Sequence, residues 1–143
     1  MVFKKIKASI RNKRGNAKIL SEVGRALELN RGSDGTIRLP AQYGRNLPER
    51  VIEIFFARLY YKPGLKVLEV GCSNAMESHL QMVRNLEPPR NIVGIDISVP
   101  SERTRRCYDR FLHESIVSSR IEAGSFDLIW CISALEHFGM DNS

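Results

Sequence analysis

The sequence predicts an α/β protein built on a doubly wound parallel sheet. Three observations predict it. Residues 66–97 alternate strand, helix and strand. A turn of small residues, 71–75, follows the first strand. A second apolar run, Phe126–Ile132, reads as a buried strand.

Each element follows from local pattern. Phe3, Ile6 and Ile10 recur at helical spacing among lysines and arginines, and Ile19, Leu20, Val23, Ala26 and Leu27 form a second helical pattern. Gly15–Asn16 is expected to separate the two. Residues 30–35, Asn-Arg-Gly-Ser-Asp-Gly, are a loop by composition, and Thr36–Leu39 reads as a short extended piece. A helix is expected from about Asn46, with Asn46 as its cap, Pro48 in its first turn and Val51, Ile52, Phe55, Phe56 and Leu59 as its apolar stripe.

Lys66–Val70 then favours strand, Ala75–Leu86 helix, and Asn91–Ile97 strand. Such a βαβ unit implies parallel pairing. Residues 101–120 support two readings. Cys107, Tyr108, Phe111, Leu112, Ser115 and Ile116 repeat at helical spacing, while Arg110–His113 can form a short strand. Ala134–Phe138 is expected to begin another helix.

Charge is unevenly spread along the 143 residues. Residues 1–62 carry 14 Lys/Arg against 5 Asp/Glu, whereas residues 63–143 carry 8 against 11. The basic leading segment could touch an anionic surface; a solvated basic face is the simpler reading. No apolar run approaches the roughly 20 residues of a bilayer crossing. Cys72, Cys107 and Cys131 give neither a disulfide framework nor a zinc pattern, so no metal is expected. The basic N-terminus lacks an apolar signal core, and a cytoplasmic protein is expected.

The chemistry concentrates in Val67-Leu68-Glu69-Val70-Gly71-Cys72-Ser73-Asn74-Ala75. Small residues there let backbone N–H groups approach a ligand closely. An acid before the turn suits a cationic or amine-bearing ligand better than a pyrophosphate. Asp96 ends the second strand, where an acid can accept hydrogen bonds from ribose hydroxyls. Glu69 and Asp96 are therefore expected at the carboxyl ends of neighbouring strands.

These motifs resemble the class I S-adenosylmethionine-dependent methyltransferases. The family motif is an acid followed by Gly-x-Gly-x-Gly; here Ser73 and Ala75 stand at its second and third glycines. Val93-Gly94-Ile95-Asp96-Ile97 is similar to the family's second strand. Residues 125–138, with Glu136-His137, resemble its fourth strand and the segment beyond. The resemblance spans residues 64–139 and implies a Rossmann-like fold with S-adenosyl-L-methionine as cofactor.

Its residue roles follow. Glu69 would support the methionine amino group, directly or through water. Gly71, Cys72 and Ser73 would line the cofactor's path. Asp96 would bind the ribose and Ile97 would pack on the adenine. Ser115 and Ile116 occupy the adenine-binding pair, with Ser115 departing from the family's acid and Glu114 as its substitute, and Ile132 completes the set. His137 is the candidate general base, since a pKa near about 6.5 suits proton removal; packing is the simpler role. Cys72 has no adjacent base and is not read as a nucleophile. Asp127 reads as a structural acid at a strand start, Trp130 and Cys131 as core, and His79 and His113 as solvent-facing or packed.

The expected acceptor is a small molecule, lipid or saccharide, because the Glu-His pair is present and the nucleobase-methylating signature is absent after the fourth strand. A non-catalytic, degenerate member of the fold that binds a partner is the alternative, favoured by Ser73. A nicotinamide enzyme would need Gly-x-Gly-x-x-Gly, and positions 71–76 read Gly-Cys-Ser-Asn-Ala-Met. The family's sheet has seven strands. The chain is therefore expected to be a fragment, incomplete after the fourth strand, or else to complete its sheet with a partner, the fragment being favoured: a basic helical extension over 1–45 and a partial cofactor-binding domain over 46–143.

Overall fold

The computed structural model describes residues 2–135. It divides into two compact units, residues 1–59 and residues 60–143.

In the first unit, α1 runs unbroken from Val2 to Leu29. Gly15 does not interrupt it. A single interior glycine costs only about 1 kcal/mol relative to alanine, too little to end a long helix. Ile19, Val23 and Ala26 form the buried stripe that follows. Asn30 then closes the loop predicted by composition. Its Nδ2 donates to the carbonyls of Ala26 and Arg38, both at 2.6 Å, and its Oδ1 accepts from Arg38 N at 2.8 Å. The side chain thus pairs with both backbone groups of Arg38 much as a strand would. Asn30→Ala is expected to cost about 1–2 kcal/mol, because these bonds are lost at a buried residue; the urea midpoint measures it.

The second helix, α2, spans Arg50–Tyr60 and starts later than the sequence suggests. Asn46 sits at φ 60°, inside a turn, and does not cap it. Its buried residues are Val51, Ile54, Phe55 and Ala57, while Ile52 is exposed. Positions 51, 54 and 55 are helical neighbours and 52 is not. Tyr43 packs edge-on against Phe55 and donates to Val51 O at 2.8 Å. Burial, helped by the charge of Glu22, pushes the Tyr43 phenol up to about 12.

The second unit holds a four-stranded parallel sheet of order β3-β2-β1-β4. Its elements are β1 (Lys66–Val70), α3 (Glu77–Arg84), β2 (Asn91–Asp96), α4 (Glu102–Arg105), β3 (Arg110–His113) and β4 (Leu128–Trp130). The two readings of residues 101–120 both hold in part: a one-turn helix capped by Ser101, then a strand. This is the Rossmann-like α/β arrangement that the sequence predicts, preceded by a long helix. The helix expected at Ala134–Phe138 lies largely outside the described residues.

Register sorts the side chains into two faces, since paired residues of a parallel sheet point the same way. Leu68, Val70 and Ile95 form a core on one face, with Val93, Leu112, Ile116, Ile121, Phe126 and Cys131 against it. Glu69, Gly94, Asp96 and Trp130 share the other. Asp127 and Asp109 repeat one device. Each precedes a strand and accepts from an N–H at the start of the neighbouring strand, Lys66 N and Ile92 N, at 2.8 Å. No described helix is long and apolar enough to cross a membrane.

Candidate functional site

The site begins where β1 ends. Gly71 has φ 76°, and its N–H donates to Ile95 O at 2.9 Å. A Cβ at this position would collide with Ala134, so both the conformation and the space demand glycine. Ala134 follows β4. The turn after β1 and the segment after β4 are thereby pressed together.

Cys72 turns inward. Its thiol is buried against Gly94, where a Cβ would lie 2.9 Å from the sulfur. Burial first, and the Glu69 charge second, push the thiol far above its usual range. It is a packed thiol, not a nucleophile.

Ser73 carries the link to β2. Its N–H donates to Asp96 Oδ2 at 2.7 Å, and its hydroxyl donates to Ser98 O at 2.7 Å. Asp96 Oδ1 accepts from Ser98 N at 2.8 Å. One carboxylate thus braces the tips of β1 and β2. A carboxylate has about four acceptor positions, and these two bonds leave the others available. The hydroxyl that Ser73 brings to a glycine position of the motif is turned aside onto Ser98.

Beyond Asp96 the chain is open. Ile97 is 71% exposed and Val99 76% exposed. A cavity of about 560 Å³ lies beside the turn, lined by Ser73, Asn74, Ala75, Val99, Pro100 and Thr104, among others. Glu77 also lines it, and is engaged by Arg84 at 2.7 Å and by Arg103.

The remaining predicted residues fall as follows. Ser115 and Ile116 lie just past β3; Ser115 Oγ accepts from Val117 N at 3.3 Å, and Ile116 packs on the Leu68 face. Ile132 is buried after β4. Residues 71–73, 96–97, 115–116 and 132 therefore all lie at or just past the carboxyl ends of parallel strands, where open α/β sheets bind ligands. His113 is exposed and bonds Ile97 O at 2.9 Å. His137 lies outside the described residues.

Glu69 differs from the sequence picture of an acid open to the crevice. It is fully buried, and Tyr108 donates to its Oε2 at 3.0 Å. His79 Nε2 contacts its Oε1. Sequence reasoning missed both as partners of the acid, treating Tyr108 as one step of a helical repeat and His79 as solvent-facing or packed; His79 is packed. The available signal was the acid itself: a carboxylate inside an apolar strand requires donors. No group of three or more His, Cys, Asp or Glu among the described residues is arranged to hold a metal.

A family model described as a methyltransferase domain matches residues 68–143, just over half of the chain. No curated protein and no solved structure matches the chain.

Proposed function

The chain belongs to the methyltransferase-domain family, and we propose that it binds S-adenosyl-L-methionine at the tips of β1 and β2 and methylates a small-molecule, lipid or saccharide acceptor. The observation that carries this reading is the Asp96 bridge. The acid holds the Ser73 N–H and still has acceptor positions for a ribose diol. Exposed Ile97, one residue on, offers an apolar surface for the adenine.

When bound, the cofactor supplies an electrophilic methyl group on a sulfonium. The residues of the chain have simpler tasks. Asp96 orients the ribose. Gly71, Cys72 and Ser73 shape the turn. Ser115, Ile116 and Ile132 border the site from β3 and β4. Glu69 contributes negative charge from beneath. His137 is assigned the removal of a proton from the acceptor. Most of the rate then comes from alignment of acceptor and methyl group and from exclusion of water. In this reading residues 46–143 are the cofactor-binding domain and residues 1–45 a basic extension able to contact anionic surfaces, in a cytoplasmic setting.

Release of S-adenosylhomocysteine during incubation with hydroxylated lipids, saccharides and small amines tests the acceptor. Product formed only with a nucleic acid or protein substrate would contradict the proposed class.

One observation favours a second reading, a binding module without catalysis: the Ser73–Ser98 clamp stiffens a turn that glycine would leave free. Ser73→Gly separates the two. If the clamp holds the turn away from a cofactor, the variant binds S-adenosylhomocysteine about tenfold more tightly, roughly one hydrogen bond of closure energy. If the clamp is compatible with the cofactor, affinity changes less than about threefold. Calorimetric titration reads the difference.

A further inference from the structure

The leading half of α1 carries charge that the helix does not need. Residues 1–21 hold seven Lys/Arg and no Asp/Glu; the first acid is Glu22. The first turn of α1 has no acid, although acids are what suit a helix N-terminus. Lys7 and Arg11, and again Arg14 and Lys18, stand four residues apart, a spacing at which like charges repel. Lys13, Arg14 and Lys18 are exposed, and none of them forms a salt bridge among the described residues. An anionic surface against this half would relieve the repulsion.

The apolar pattern changes direction along the same helix. Over residues 12–29 the first buried position is Ile19, followed by Val23 and Ala26. Positions 2, 3, 6 and 10, which are Val, Phe, Ile and Ile, share an arc of about 100° around the helix axis. The centre of that arc lies about 150° from the stripe of Ile19, Val23 and Ala26. The helix therefore has two apolar directions, one in each half. Lys7, Arg11, Arg14 and Lys18 occupy the adjoining arc of about 60°. The phosphates of a nucleic acid would answer the charges and give the Phe and Ile positions no role. An anionic bilayer answers both, since headgroups take the cations and the acyl boundary takes the apolar arc. No described helix is apolar enough to cross a membrane, so the contact is with its surface.

We propose that residues 2–18 of α1 lie along the surface of anionic bilayers, with the arc of positions 2–10 toward the acyl boundary and the lysines and arginines among the headgroups. This names the anionic surface met by the basic extension of the proposed function. It rests on that part alone and needs no cofactor.

The test is co-sedimentation of the full chain with vesicles of phosphatidylcholine, and with a three-to-one mixture of phosphatidylcholine and phosphatidylglycerol, beside titration with single-stranded RNA. Phe3→Gln/Ile10→Gln keeps every charge. Lys13→Gln/Arg14→Gln/Lys18→Gln changes only exposed residues. Glutamine is a good helix former, and thermal unfolding checks that each variant folds. The wild type is expected to bind the mixed vesicles about 100-fold more tightly than phosphatidylcholine, and to lose most of that preference at high salt. The triple variant should bind them about 100-fold more weakly, roughly fivefold per charge. Phe3→Gln/Ile10→Gln should bind them about tenfold more weakly, with RNA binding changed less than about twofold. Equal binding to the two kinds of vesicle, or vesicle binding indifferent to Phe3→Gln/Ile10→Gln, overturns the proposal. Should that variant fail to fold, mixed-vesicle binding unchanged in the triple variant overturns it as well. A chain that binds RNA and no vesicle overturns the bilayer and keeps the anionic surface. A chain that binds neither overturns both. Titration with S-adenosylhomocysteine reads the cofactor site separately.

Discussion

Asp96→Ala is expected to weaken S-adenosylhomocysteine binding by about 100-fold or more. Two hydrogen bonds from ribose hydroxyls to a carboxylate are worth roughly 1.5–3 kcal/mol each, and both are lost. The substitution also strips acceptors from Ser73 N and Ser98 N, so the brace between the tips of β1 and β2 goes with it. Stability should fall by about 1–3 kcal/mol, less than the loss in binding, because a partly exposed turn can recruit water. Asp96→Asn keeps one carbonyl acceptor and should lie between wild type and alanine in both measurements. Titration calorimetry and urea unfolding on the same preparations separate the two effects. Equal loss in binding and in stability would mean that the acid only braces the turn.

Gly71→Val is expected to have the largest effect on stability, about 3–5 kcal/mol. A β-branched residue at φ 76° costs roughly 1–3 kcal/mol of backbone strain, and its Cβ collides with Ala134 where overpacking adds about as much. Domains of this size are stable by only about 5–15 kcal/mol, so a large part of the margin would go. Gly124→Ala is the matched control. Gly124 has nearly the same φ, 75°, but nothing lies within 4 Å of the added carbon. It should cost about 1 kcal/mol, the backbone part alone. If both variants lose the same stability, Ala134 does not press on the turn.

The sheet was legible because its strands are short apolar runs bounded by turn residues. Lys66–Val70 and Asn91–Ile97 are read from local pattern alone, and the intervening helix fixes their parallel sense. Gly71 and Asp96 were legible because each ends such a run. Residues 107–116 were ambiguous for a physical reason. Cys107 and Tyr108 belong to the turn after α4, while Phe111 and Leu112 belong to β3 and point to opposite faces, so a helical spacing arises from two elements in succession. Gly15 misled because local propensity is weak against a long helix. The surroundings of Glu69 were not legible at all. Its partners come from α3 and from the turn before β3, and only the closed sheet brings His79 and Tyr108 to the same carboxylate.

The central claim is that the joined tips of β1 and β2 hold an adenosyl amino acid. Calorimetric titration of the unmodified chain with S-adenosylhomocysteine tests it most directly. Saturable heat at one ligand per chain, lost in Asp96→Ala, is the predicted outcome. Absence of heat at millimolar ligand from a chain that unfolds cooperatively would contradict it.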